Sequence, residues 1–301
     1  MDREKIKGVV AVVLGAASFG ILSTFVKKAY EQGFTLGEVT GIQSLFGLLI
    51  LWLLIGILLL TNKNYFARYS ATSPRWQIII SGLSTGAVSI LYYKSVQLVP
   101  ASLAIILLMQ YIWIGQLIEF IFFGTRISRR QTIGIAAILL STVLATGLLE
   151  DDFQAVDIAG IGYGLLAATA YALFIIVSGR VGNDHPPLQK SALLIVGAFL
   201  LIFIVLQPFS LFTPPVFSAL WRYGLLLAVF GTVLPPLLFS YGIPKTGVSL
   251  GNILSYIELP VAVCMSYIVL KEQVSVAQFI GVAGILVIVI LLNIRKRSAV
   301  N

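Results

Sequence analysis

Residues 102–139 read SLAIILLMQYIWIGQLIEFIFFGTRISRRQTIGIAAIL, and residues 249–286 read SLGNILSYIELPVAVCMSYIVLKEQVSVAQFIGVAGIL. The two stretches align without a gap, since Ser102 returns as Ser249, an offset of 147 residues. Two unrelated apolar helices often match at Leu and Ile by chance, because these residues are common in them. Here Ser, Gln and Gly match as well. The chain therefore contains an internal repeat. Its identical positions in the first copy include Ser102, Leu103, Ile106, Leu107, Ser128, Gln131, Ile133, Gly134, Ala136, Ile138 and Leu139.

The composition indicates a membrane protein. Hydrophobic residues make up 58% of the 301 residues, charged residues only 11%, and the mean hydropathy is +1.00. Soluble domains carry about 25% charged residues, and a run of about 20 apolar residues is a candidate membrane span. The pI of 9.6 would suit a nucleic-acid partner, but the basic residues stand in short segments between apolar runs. The single cysteine, Cys264, excludes an intramolecular disulfide.

The apolar runs predict ten transmembrane helices, because a backbone exposed to lipid has to satisfy its own hydrogen bonds. The predicted spans are residues 8–26, 36–60, 76–97, 101–123, 131–149, 158–179, 188–207, 221–243, 248–270 and 275–294. With a cytoplasmic amino terminus, 15 of the 20 Lys and Arg residues face the cytoplasm. The remaining five face outward: Lys27, Lys28, Lys94, Arg222 and Lys271. Cytoplasmic loops are enriched in Lys and Arg, so both termini are predicted to be cytoplasmic.

The offset of 147 residues spans an odd number of predicted helices, so the second copy of the repeat has to lie upside down in the bilayer. The earlier helices also align, with Phe19 corresponding to Tyr171 at an offset of 152. We therefore expect two inverted five-helix repeats, 1–149 and 158–301. Inverted repeats are typical of secondary transporters, whose substrate site lies between the halves.

Glu258 is the strongest single candidate for a functional residue, because it falls near the middle of the ninth predicted span. A charged residue there costs roughly 2.5–3.5 kcal/mol on insertion scales, which makes it a functional hypothesis by default. Its polar neighbours on the same helix are Asn252, Ser255 and Tyr256. Two interpretations stay open: a site for a substrate amine or a proton, or a structural glutamate hydrogen-bonded to a neighbouring helix.

The fourth predicted span carries Gln110, Tyr111 and Trp113, which are candidates for a polar and aromatic wall of the same cavity. The alternative for them is ordinary packing and hydrogen bonding between helices. Further candidates for lining a cavity, each of which is also compatible with packing, are Ser18, Ser89, Tyr92, Tyr93, Tyr171, Thr232 and Tyr241. Pro235-Pro236 lie within the eighth span and are expected to kink it.

Several chemistries have no sequence signal here. No His/Cys cluster with the spacing of a metal site occurs, and neither a Gly-rich phosphate loop nor a nucleophile elbow is found. We therefore expect no cofactor, no metal and no enzymatic activity. An intramembrane enzyme acting on lipid-linked substrates remains an alternative, although the acidic run from Glu150 to Asp157 lacks a nearby His or Arg partner. A channel is disfavoured, because channels usually assemble as rings of identical subunits.

The second half ends in a pattern that resembles the EamA family of the drug/metabolite transporter superfamily. A central Pro260 is followed by a turn containing Leu270-Lys271-Glu272 and by a last helix with an early Gly281. The first half keeps Gly124 and Gly134 but has Trp113 for the proline and Thr125 for the glutamate. The resemblance covers nearly the whole chain, as two EamA repeats.

The resemblance implies a ten-helix exporter of amino acids or related metabolites in the inner, or plasma, membrane. It also implies alternating access about a midplane cavity formed by helices 1, 3, 4, 6, 8 and 9. The tyrosines and tryptophan are loosely similar to those of the aromatic amino acid exporters. Relatives that move drugs, nucleosides or cofactors are the alternative. The expected partners are a small-molecule substrate and the lipid bilayer, with proton or other ion coupling and a monomeric or homodimeric state left open.

Overall fold

The computed structural model describes residues 3–62, 65–66, 69–124, 129–145, 157–178, 180–246 and 254–294. Within these ranges the chain is helical and forms no strand, which confirms the predicted all-α class. Thr125, Asn252 and the segment 150–156 lie outside the described residues, and so does the start of the second repeat copy at Ser249.

The first half of the chain folds into six helical segments. They are α1 (Arg3–Glu31), α2 (Leu36–Thr61), α3 (Arg75–Leu98), α4 (Ala101–Leu108), α5 (Tyr111–Phe123) and α6 (Arg129–Ala145). Helix α2 begins at a capping box, in which the Glu38 N–H donates to the Thr35 side chain and the Thr35 N–H donates to the Glu38 carboxylate. Helix α5 ends at Gly124, whose φ of 65° is the left-handed conformation that glycine adopts without strain.

The second half repeats this order with more irregular helices. It contains α7 (Ile158–Ser178), α8 (Pro187–Leu206), a 3₁₀ turn (Phe209–Phe212), α9 (Pro214–Leu227), a π-helical stretch (Ala228–Val233), α10 (Leu234–Thr246), α11 (Glu258–Met265), a second π-helical stretch (Ser266–Leu270) and α12 (Val276–Ile294). The first π stretch ends where the Leu234 N–H bonds to the Val229 carbonyl, directly before Pro235 and Pro236. The π-helical stretch shifts the hydrogen-bond pairing of the residues that follow it. Pro235 and Pro236 have no N–H group, so this shift leaves no backbone donor unpaired at these two positions.

Six helices within the described residues are long and apolar enough to cross a membrane, by length and composition. They are Arg3–Glu31, Leu36–Thr61, Ala101–Phe123, Ile158–Val177, Pro187–Leu206 and Pro214–Ile243. Three further apolar helices are shorter: Thr132–Ala145, Glu258–Leu270 and Val276–Ile288. The second of them includes the π-helical stretch Ser266–Leu270. The chain is therefore a multi-pass helical protein.

The fourth predicted span is interrupted at Met109–Gln110, between α4 and α5, and the second copy is interrupted at the equivalent Tyr256–Ile257. The same three backbone hydrogen bonds recur at the offset of 147. In the first copy they run from Gln110 to Leu107, from Ile112 to Met109 and from Ile114 to Gln110; in the second they run from Ile257 to Leu254, from Leu259 to Tyr256 and from Val261 to Ile257. Proline does not cause the break, since the first copy has Trp113 where the second has Pro260.

Helices of the two halves interleave. Helix α3 packs against α7 and α8, α1 packs against α10 and α11, and α6 packs against α12. Glycines allow these close crossings: a Cβ added to Gly82 would collide with the Leu194 carbonyl, and one added to Gly197 would collide with the Ile79 carbonyl. The interface between the halves therefore runs through the centre of the molecule.

Candidate functional site

A central cavity opens between the two halves. Its lining residues come from nearly every central helix: Phe19, Leu22, Thr40, Gln43, Ser44, Thr85, Val88, Ser89, Tyr92, Tyr93, Leu108, Tyr171, Phe174, Ile195, Ala198, Ile202, Gly231, Thr232, Pro236 and Glu258. Residues of α2 and α8, which correspond to the second and seventh predicted spans, belong to this wall, although the family resemblance assigned the cavity to predicted spans 1, 3, 4, 6, 8 and 9. The cavity has a volume of about 80 Å³.

Glu258 is the first residue of α11 and points into this cavity wall. Only 3% of its surface is exposed, and its Oε2 atom has no hydrogen-bond partner among the described residues. The backbone of α1 comes close at Gly20, where an added Cβ would lie 2.6 Å from the Glu258 carbonyl oxygen. Among the described residues, Glu258 Oε2 is thus not hydrogen-bonded to a neighbouring helix.

Aromatic rings surround this end of the cavity. Tyr111 lies edge-on to Tyr171 at a centroid distance of 4.7 Å and stacks on Tyr256 at 6.5 Å. Tyr171 also stacks on Phe174 at 6.0 Å and meets Phe19 at 6.5 Å. Tyr111 and Tyr256 are buried behind the wall, whereas Tyr171, Phe174 and Phe19 line it. The structure therefore joins three predicted tyrosines to Glu258 in one cluster.

A second polar group on the wall is centred on Gln43. The Tyr93 hydroxyl donates to Gln43 Oε1 at 2.5 Å, and Gln43 Nε2 donates to Thr232 Oγ1 at 3.0 Å. This network links α2, α3 and the first π stretch, and Gly47 lets Thr232 approach closely. Sequence reasoning passed over Gln43, although Thr40, Gln43 and Ser44 place three polar residues on one face of an apolar helix.

Other predicted site residues lie away from the cavity wall. Trp113 Nε1 donates to Gln110 Oε1 at 2.9 Å, and Gln110 Nε2 donates to Ile106 O at 2.9 Å and to Thr142 Oγ1 at 3.0 Å. This pair is engaged in helix packing, as the alternative interpretation had it. Ser18 donates to the Phe230 carbonyl at 2.6 Å, in the first π stretch.

The remaining predicted residues have mixed positions. Tyr92 lines the cavity, and its hydroxyl has no hydrogen-bond partner among the described residues. Ser255 is buried directly before the break at Tyr256, without belonging to the lining. Asn252 falls outside the described residues.

The wall is built from equivalent positions of the two repeats. At the offset of 152, Phe19 pairs with Tyr171, Leu22 with Phe174 and Gln43 with Ile195; at 147, Thr85 pairs with Thr232 and Ser89 with Pro236. Both members of each pair line the cavity. Glu258, by contrast, has the buried Tyr111 as its equivalent, so it introduces a difference between the halves.

Comparison with known proteins supplies the family. The EamA-like transporter family matches residues 6–147 and 158–294. The uncharacterized transporter YcbK of Bacillus subtilis is 23% identical over 98% of this chain and 95% of its own length. The threonine/homoserine exporter RhtA of Escherichia coli strain K12 is 26% identical over 85% of this chain and 84% of its own. RhtA of Salmonella typhimurium strain LT2 is 27% identical, covering 80% and 79%.

The overall fold also has a counterpart among solved structures. A crystal structure that covers 97% of this chain, and 99% of its own, superposes with a TM-score of 0.66 at 16% sequence identity. At so low a sequence identity, the superposition supports a shared fold and nothing about function. The relatives are transporters by name, which points away from an enzyme. With both halves matched, the chain belongs to the EamA-like transporter family and carries two EamA repeats.

Proposed function

We propose that this protein is a secondary transporter that exports amino acids or related small metabolites by alternating access about the central cavity. The observation that carries the proposal is Glu258, a buried carboxylate with an unpartnered oxygen in the wall of a cavity between two repeats. Intramembrane carboxylates typically serve substrate binding or proton relay. The plasma membrane is the proposed location.

The proposed topology has ten spans, inverted repeats at 1–149 and 158–301, and two cytoplasmic termini. Three contacts support the predicted alternation of loops between the two sides of the membrane, because each contact joins segments that are both assigned to the cytoplasm. Arg180 approaches Glu119 at 3.7 Å, and Lys245 approaches Glu4 at 2.5 Å. Asp184 accepts hydrogen bonds from the backbone N–H groups of Thr72 and Ser73. Hydrogen bonds from the Ser73 side chain and from these N–H groups hold the pKa of the Asp184 carboxyl well below its usual value.

Three further contacts join segments assigned to the outer side. Lys27 Nζ donates to the Val96 and Val99 carbonyls, both at 3.0 Å. Ser210 donates to Glu38 at 2.8 Å, and the Ala101 N–H donates to Glu272 at 2.7 Å. None of the six contacts joins segments assigned to opposite sides, which supports the predicted order of crossings.

The substrate size is argued from the cavity and from the relatives. A cavity of about 80 Å³ favours a small metabolite over a large drug in this conformation. The RhtA exporters, named for threonine and homoserine, support a substrate of amino-acid size. Transport of drugs, nucleosides or cofactors is the alternative within the superfamily.

Glu258 is proposed to bind a substrate amine or a coupling proton, with Tyr92, Tyr111, Tyr171 and Tyr256 shaping its surroundings. A buried carboxylate is stable only when a cation or a proton compensates its charge. The empty site therefore favours a protonated Glu258, and a cationic substrate favours an ionised one. This exchange would couple export to proton entry.

The test is counterflow of radiolabelled L-threonine and L-homoserine in proteoliposomes, at several pH values. Glu258→Gln keeps the shape but removes the ionisable group, and we expect it to abolish saturable, pH-dependent counterflow. Glu119→Gln is the matched control, since Glu119 is half-buried, lies outside the cavity lining and approaches Arg180 only at 3.7 Å. Normal pH-dependent counterflow by Glu258→Gln would refute the assignment, and ohmic conductance in place of saturation would indicate a channel.

A further inference from the structure

The described residues of the cavity wall include one acidic side chain and no basic one. Glu258 is its single ionisable acid, and the described lining residues include no Lys, Arg or His. Three ion pairs occur among the described residues, and none of them includes Glu258. Lys27, about two turns beyond Phe19 on α1, is occupied by the Val96 and Val99 carbonyls. The wall thus offers one negative charge and no positive one.

This imbalance discriminates between substrates. A zwitterionic amino acid would bring its ammonium group to Glu258 but would also bury its own carboxylate without a cationic partner. An unpaired buried charge is strongly unfavourable. An organic monocation without a carboxylate would leave the occupied cavity electrically neutral.

The aromatic part of the wall also suits a cation. Phe19, Tyr92, Tyr171 and Phe174 line the same cavity as Glu258. Aromatic ring faces attract ammonium groups, most effectively where water is excluded. The tyrosine hydroxyls are neutral hydrogen-bonding groups and supply no compensation for a carboxylate.

The wall continues into a neutral polar region. Gln43 and Thr232 are joined there, and Thr85 Oγ1 is buried without a hydrogen-bond partner among the described residues. Thr85 and Tyr92 are seven residues apart on α3, which corresponds to about 10 Å along the helix. An unpartnered hydroxyl in the same cavity as Glu258 suits a hydroxyl or amide group of a ligand.

We propose that the cavity is selective for small monocationic amines that carry a neutral hydroxyl or amide group and no free carboxylate. The ammonium group binds at Glu258 among the aromatic rings, and the neutral group bonds at Thr85 and Gln43. Amino alcohols and amino acid amides are the simplest members of this class. The inference rests on the transport function proposed above, and it narrows the preferred substrates from amino acids and related metabolites to those related metabolites that lack a free carboxylate.

The experiment measures uptake into proteoliposomes of three related compounds: L-threoninol, L-threonine amide and L-threonine. We expect threoninol and the amide to have KM values at least about tenfold below that of threonine, because only threonine buries an unpaired carboxylate. Equal KM values, or transport of threonine alone, would overturn this inference and leave the transporter assignment intact. Failure of all three to be transported would overturn both.

A second measurement tests the neutral end of the site. Thr85→Val preserves the side-chain shape, and we expect it to raise the KM for threoninol about threefold to tenfold, as loss of one hydrogen bond does. The KM for n-butylamine, which has no hydroxyl, should stay unchanged in the same variant. Ser84→Ala is the control, since Ser84 is not in the lining and bonds to the Ser81 carbonyl. An equal rise in KM for both amines would mean that Thr85 does not bond to the substrate hydroxyl, and it would overturn the assignment of the neutral end of the site.

Discussion

Phe19 and Tyr171, which occupy equivalent positions of the two repeats, meet nearly at right angles in the cavity wall, with their ring centroids 6.5 Å apart. Each ring has a further aromatic neighbour, Phe239 for Phe19 and Phe174 for Tyr171. The pair therefore connects the two repeats directly in the cavity wall.

The ring of Tyr171, rather than its hydroxyl, is expected to matter. Tyr171→Phe keeps the contacts with Phe19, Tyr111 and Phe174, so counterflow should remain within about twofold of the wild type. Tyr171→Ala leaves a cavity and should raise the substrate KM while lowering stability by about 3–5 kcal/mol. Counterflow kinetics and thermal unfolding in detergent check both variants. A Tyr171→Phe variant as impaired as Tyr171→Ala would instead assign the function to the hydroxyl.

Sequence reasoning predicts a candidate site residue most readily where one residue conflicts with its surroundings. Glu258 could be identified because a carboxylate in an apolar helix is costly wherever the helix packs. Gln43 was missed, because an amide in an apolar helix is compatible with ordinary interhelical bonding, and its partners Tyr93 and Thr232 are distant in sequence. Gln110 and Trp113 have polar and aromatic side chains typical of a binding site, but they bond to each other and do not line the cavity.

The repeat is easier to predict from the sequence than the residues that line the cavity. The repeat preserves backbone geometry, so the interrupted helix recurs at Met109 and Tyr256 with different side chains. Side-chain chemistry, by contrast, differs at equivalent positions such as Gln43 and Ile195. Which of these reaches the cavity depends on helix rotation and crossing, and neither follows from periodicity alone.

The Gln43 network should behave as a coupled pair. Gln43→Leu leaves the buried Tyr93 hydroxyl without its acceptor, and we expect a loss of about 1–3 kcal/mol of stability. Adding Tyr93→Phe removes the stranded hydroxyl and should recover part of that loss. A double-mutant cycle followed by thermal unfolding in detergent measures the coupling. Strictly additive effects would mean that the hydroxyl does not depend on Gln43.

Glu272 provides a helix cap across the two halves. Its carboxylate accepts hydrogen bonds from the Ala101 and Ser102 N–H groups at 2.7 and 3.1 Å, and from the Ser102 hydroxyl at 2.7 Å. Ser266 also donates to it. Helix α4 has Pro100 at its N-cap, which offers no side-chain cap of its own. The second half therefore supplies the acceptor for the first turn of α4.

Glu272→Ala should loosen that turn, since loss of a cap costs about 0.5–2 kcal/mol. Hydrogen exchange followed by mass spectrometry is expected to accelerate in peptides covering Ala101 to Leu108. Glu31→Ala, an exposed residue at the end of α1, is the control and should leave this exchange unchanged. Unaltered protection of α4 in Glu272→Ala would show that the contact is dispensable for its start.

Gly82 tests the crossing of α3 and α8. Gly82→Ala places a Cβ against the Leu194 carbonyl, and backbone on both sides leaves no flexible atom that can give way. We expect a lower melting temperature and less folded protein in detergent, because overpacking of a close contact costs about 1–3 kcal/mol. Gly56→Ala is the matched control: it lies in α2 with nothing within 4 Å of its added Cβ, so it should be neutral or stabilising by about 0.5–1 kcal/mol. Equal melting temperatures for the two variants would contradict a tight α3–α8 crossing, and with it the interleaved arrangement of the two halves around the cavity.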